Sequence, residues 1–136
     1  MKTFEILPHT GDVRVKAAGS TLAELFTAAL EGMFDVAKPH FDVKAPTVER
    51  PFKIESADSS ALLVDFLNEA IALSDANGEV YSSVRFDQVS DTTVVGSFLG
   101  KTVEGFDTQI KAATYHDLKL ERNQDGEMEA TVIFDV

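Results

Sequence analysis

Hydrophobic and polar positions alternate from residue 12 to residue 17, with Val13, Val15 and Ala17 on one side and Asp12, Arg14 and Lys16 on the other. A period of two predicts a half-buried strand, and Gly19-Ser20 ends it. The period then lengthens. Leu22, Leu25, Phe26, Ala29, Leu30, Met33 and Phe34 recur at helical spacing and make one wide apolar stripe. Thr21 and Glu24 fit a capping box at the start of this helix, and Pro39 sets its end. Residues 41–48 read as irregular, with Pro46 and Pro51 as interruptions, and a short strand over 52–55 reaches back toward Val48. Asp58, Ser59 and Ser60 offer a second cap, followed by the stripe Leu63, Phe66, Leu67, Ala70 and Ile71. Asn77-Gly78 closes that helix, because both residues tolerate the left-handed conformation.

Beyond Val80 the pattern returns to period two. Val80, Ser82, Val84 and Phe86 alternate with Tyr81, Ser83, Arg85 and Asp87, and residues 92–99 form a β-rich run that Gly100 is expected to break. Residues 109–116 and 117–122 read as extended, Asp125-Gly126 is a hairpin signal, and Met128, Ala130, Val132 and Phe134 line one face of a last strand. The order strand, helix, strand, helix and then several strands predicts a single α+β domain over residues 1–136, with two helices on one side of a largely antiparallel sheet.

Composition narrows the chemistry. The chain has 136 residues, enough to bury a core without staples. It holds no cysteine, which excludes disulfides and thiolate metal sites and fits a cytoplasmic setting. Neither a signal-peptide pattern nor an apolar run of membrane-spanning length is expected from the sequence. With 23 acidic and 12 basic side chains the net charge is −11. Such a surface repels phosphate backbones, so strong autonomous nucleic-acid binding is not expected. It suits a basic protein partner or a divalent cation, although acidity also serves solubility alone. No Walker loop, dinucleotide-binding glycine motif or nucleophile elbow occurs. His9, His40 and His116 form no His-x-x-x-His pair, so a three-ligand zinc centre has no ready set.

Three segments carry candidate chemistry. In His9-Thr10-Gly11-Asp12 the glycine permits a tight turn and Asp12 offers hard carboxylate oxygens, although a turn held by its own Asp or Thr is the plainer reading. In Ile110-Lys111-Ala112-Ala113-Thr114-Tyr115-His116 an extended backbone puts Lys111, Ala113 and Tyr115 on one face and His116 on the other. Lys111 could neutralise carboxylates or hold a phosphate as a point charge; a solvated lysine and a structural histidine are the commoner cases. At the end, Ile133-Phe134-Asp135-Val136 brings Asp135 beside the last carboxyl group, an unfavourable close to a buried strand unless a cation compensates. Asp65, Asn68 and Glu69 on the second helix read as a solvated face.

These segments, with Leu62-Leu63-Val64-Asp65-Phe66-Leu67-Asn68-Glu69, together resemble the archease family over nearly the whole chain. The resemblance implies an archease-like fold and a role as an accessory protein rather than an enzyme. The implied partner is a GTP-dependent RNA ligase of tRNA splicing or RNA repair, which such proteins help to guanylylate its own active-site histidine and to turn over repeatedly. It further implies a metal site at Asp12, Asp135 and the main-chain oxygen of Val136, with Lys111 joining Asp12 and Asp135 in ligase activation. Calcium is the cation expected there; magnesium and manganese suit the same donors. Gly11 stands where many relatives have alanine, Phe66 where tryptophan is frequent, Lys101 where an acidic residue is usual, and Met128 where an aromatic is common. Two other readings compete. One is a stand-alone metal-dependent hydrolase using Asp12, His9, His116 and Asp135; the other is a metal-independent chaperone or adaptor.

Overall fold

A computed structural model describes residues 1–9, 12–114 and 118–136. In chain order the elements are β1 (Thr3–His9), β2 (Asp12–Gly19), α1 (Leu22–Ala37), β3 (Pro39–His40), β4 (Val48–Glu55), α2 (Ser59–Asn77), β5 (Glu79–Val89), β6 (Thr93–Thr102), β7 (Gly105–Phe106), β8 (Ala112–Thr114), β9 (Glu121–Arg122) and β10 (Met128–Asp135). This is the expected α+β fold of two helices and antiparallel strands. The strands, however, form three sheets instead of one: β1-β2-β10-β8 with β9 also on β10, then β4-β6-β5, and the small pair β3-β7. Nor do the helices lie on one side of one sheet. Each contacts both larger sheets, α1 through β2 and β5, α2 through β8 and β6.

The helix ends follow from their capping residues. The Glu24 N–H donates to Thr21 Oγ1 at 3.1 Å, while the Glu24 carboxylate accepts from the Ser20 N–H at 2.9 Å, one residue earlier than a standard capping box. That Ser20 N–H, with the chain's amino terminus, holds the Glu24 carboxyl below the ordinary carboxylate range. Asp58 caps α2 by accepting from the Ala61 N–H at 2.8 Å. Gly78 ends α2 with φ at 65°, its N–H donating to the Ser74 carbonyl at 2.9 Å. The stripes of the two helices meet in an aromatic core, where Phe66 packs against Phe26, Phe52, Phe86 and Phe98 with ring centroids 5.2 to 5.8 Å apart.

Three sequence expectations change. Residues Thr3–His9 form β1, which the alternation did not single out; Pro8 is accommodated because β1 is an edge strand. Gly100 does not break its strand, since β6 runs on to Thr102. It is required there by a close approach: a Cβ on Gly100 would stand 1.7 Å from the Val80 carbonyl oxygen. Finally, the extended reading of 109–122 narrows to β8 and β9 among the described residues. Just upstream, Asp107 and Thr108 donate backbone hydrogen bonds to Lys38 and Ala37, which commits that stretch to the end of α1.

Candidate functional site

The adjacent strands β2 and β10 pair antiparallel along their whole lengths, with Met128 opposite Gly19 at one end and Asp135 opposite Asp12 at the other. Directly opposed residues project to the same face of a sheet. The two carboxylates, 123 positions apart in sequence, are therefore neighbours on one face of the same sheet end. The opposite face of these strands is apolar, with Val15, Val132 and Phe134 fully buried under α1. Core packing thus fixes the register, and the register brings the two aspartates together. A slip of one residue would turn Val132 and Phe134 to the wrong side.

The third strand of the site is β8. Ala112 lies opposite Asp135, and the Lys111 N–H donates to the Asp135 carbonyl at 2.8 Å. Lys111 itself is exposed at the mouth of this sheet end. Val136 follows Asp135 and is 38% exposed. Asn68 of α2 holds β8 from its other edge: its side-chain N–H donates to the Ala113 carbonyl at 3.0 Å, and its side-chain oxygen accepts from the Ala113 N–H at 2.8 Å. The solvated-face reading of Asn68 is therefore corrected; the residue is half-buried and imitates a neighbouring strand. Asp65, by contrast, is exposed and accepts from Ser56 Oγ at 2.6 Å, and Glu69 is exposed.

Thr10, Gly11, Tyr115 and His116 lie outside the described residues. His40 stands apart on the small sheet, paired with Asp107 at 2.5 Å. Lys101 donates to the Ala45 carbonyl and so anchors the loop ahead of β4. Among the described residues no group of three or more His, Asp and Glu side chains converges at metal-binding distance. What the site offers is a pair of carboxylates on one face of the sheet end. An oxygen donor set of this kind suits a hard divalent cation. The residues present therefore fit such an ion.

The molecule also holds a buried acid that the sequence did not flag. Glu79, 2% exposed, receives Arg50 through two contacts of 2.8 and 2.6 Å and the Tyr81 hydroxyl at 2.8 Å. The Arg50 hydrogen bonds hold the Glu79 carboxyl below the ordinary carboxylate range, and burial raises the Tyr81 hydroxyl above its usual value. Its place at the start of β5, remote from Asp12 and Asp135 in the sheet order, makes it structural.

No helix among the described residues is long and apolar enough to cross a membrane. Comparison with known proteins gives a consistent picture. The model of the archease protein family matches residues 4–136. Protein archease of Thermococcus kodakarensis is 34% identical with all of both chains covered, and that of Methanosarcina barkeri is 31% identical over 99% of this chain and 97% of its own. Protein 1598 of Methanobacterium thermoautotrophicum, solved in solution, superposes with a TM-score of 0.72 at 28% identity, covering 98% of each chain. An archease of Thermotoga maritima, described as a possible chaperone, gives 0.64 at 25% identity over 96% of this chain and 94% of its own. Sequence, fold and the extent of these matches agree that the chain belongs to the archease family.

Proposed function

We propose that this protein is a metal-binding accessory factor that activates a GTP-dependent RNA ligase in the cytoplasm, and is not itself an enzyme. The observation that supports this reading is the cross-strand pairing of Asp12 with Asp135, two of the three residues that the family resemblance implies as donors. Asp12, Asp135 and a main-chain oxygen of Val136 would hold one divalent cation, calcium by expectation, with magnesium and manganese suiting the same donors. When bound, the cation would supply positive charge beside the ligase's nucleotide phosphates. Lys111 adds a mobile point charge at the same edge, and its backbone N–H keeps the Asp135 carbonyl turned toward β8. Phosphoryl-type transfers respond chiefly to positioning and charge neutralisation. The nucleophilic histidine belongs to the partner, so this chain needs none.

The test is covalent GMP transfer onto the cognate ligase, measured with and without the protein. Wild type should raise the rate at least tenfold, and Asp12→Ala should return it to that of the ligase alone while circular dichroism stays unchanged. Calorimetry with calcium chloride should show one site in wild type and none in Asp135→Asn. Full stimulation by a folded Asp12→Ala variant would overturn the reading. Release of products from RNA by the protein and metal alone would instead favour the hydrolase.

A further inference from the structure

The edges of the larger sheets are not equally protected against further strand pairing. On β4, the edge carries Pro51 and the charged residues Glu49, Arg50, Lys53 and Glu55. The β5 register is interrupted between Tyr81 and Ser83 and again between Phe86 and Gln88. On β8, Asn68 already takes both backbone groups of Ala113. These are the devices by which proteins blunt open edges. In contrast β1 pairs with β2 over seven uninterrupted positions and exposes two large apolar side chains, Phe4 at 36% and Ile6 at 40%.

The direction of its free groups follows from the sheet. Because the Asp135 carbonyl points to β8, the pair Asp12–Asp135 lacks mutual backbone bonds, and alternation makes His9–Asp12 a hydrogen-bonded pair. The backbone groups of Phe4, Ile6 and Pro8 then face away from β2. Proline at such a position gives up no ladder bond. Phe4 and Ile6 present N–H and carbonyl groups to an incoming chain, with a groove beside them lined by Phe4, Phe34, Phe41 and Val80. The acids of that groove are Glu31 and Asp35, one turn apart on α1; Lys2 pairs with Glu31, while Asp35 is exposed.

We infer that β1 is a docking edge for an extended segment of a basic protein partner, which adds a strand against Phe4 and Ile6 and lays alternate apolar side chains in the groove while lysine or arginine meets Asp35. Strand addition of this kind draws affinity from main-chain bonds and specificity from the side-chain pockets. Charge selects the occupant: a second copy of this chain would bring another −11 against the same acidic edge. This surface runs along β1, and the inference stands independently of the cation site.

The experiment uses the full chain and two capped hexapeptides, one alternating valine with lysine and one alternating valine with glutamate. The lysine peptide should slow amide hydrogen exchange at Phe4 and Ile6 at least tenfold, and the glutamate peptide should not. Asp35→Lys should weaken binding at least fivefold. Ile6→Pro, which removes an outward N–H and leaves the β1–β2 ladder whole, should abolish it with the circular dichroism spectrum retained. Equal binding of both peptides, unchanged exchange at Phe4 and Ile6, or a sedimenting dimer whose β1 amides are already protected would each overturn the inference.

Discussion

Asn68 shows what a single side chain decides in this molecule. Its amide meets both backbone groups of Ala113, a buried residue that would otherwise carry them without partners. Asn68→Ala should therefore cost about 2 kcal/mol in urea unfolding, the range for a buried pair left unsatisfied. Asn68→Asp, which keeps the acceptor for the Ala113 N–H, should recover part of it. A helical wheel places this residue on the polar flank of α2 and has no means of knowing that β8 arrives there. The same limit applies to the candidate site. Asp12, Lys111 and Asp135 were legible as residue types from the motifs they sit in, but their neighbourhood depends on a strand register between the two ends of the chain. Glu79 is not legible in the sequence, because its partner Arg50 lies 29 positions away on another strand.

Elements with strong periodic stripes were readable in advance, and those fixed by their neighbours were not. Both helices, their caps and the last strand follow from local spacing and capping chemistry. The weak points were β1, whose short alternating run ends in a proline, and the glycines of β6. Gly100 looks like a strand breaker in one dimension, yet it is the residue that lets β5 come close. Gly100→Ala should destabilise the protein by about 2 kcal/mol through overpacking. Gly105→Ala is the control, since a Cβ there meets nothing within 4 Å. Equal thermal midpoints for the two variants would refute the close-approach account.

At the scale of the whole molecule, Glu79 joins parts that the strand order alone leaves loosely connected. Its carboxylate holds Arg50 of β4 and Tyr81 of β5, and its carbonyl accepts from Ser74 at the end of α2 at 2.6 Å. Its carboxyl titrates lower in the folded state than the ordinary value of 4.5. That contribution to stability is present in full above about pH 4.5 and fades as the pH falls through the lower folded value. Urea midpoints taken from pH 7 to pH 3 should fall on the acid side. Glu79→Ala should be about 3 kcal/mol less stable at pH 7 and show a shallower acid slope; an unchanged slope would assign acid sensitivity to other carboxylates.

The long β2–β10 ladder also sorts the two chain ends. The Met1 amine contacts Ser20 and Glu24 at the Gly19 end, whereas Val136 follows Asp135 at the other, roughly 23 Å away along the strand. Any tag or fused domain joined after Val136 would crowd the paired aspartates. One joined before Met1 would emerge at the far rim, so purification handles and fluorescent labels belong on that side.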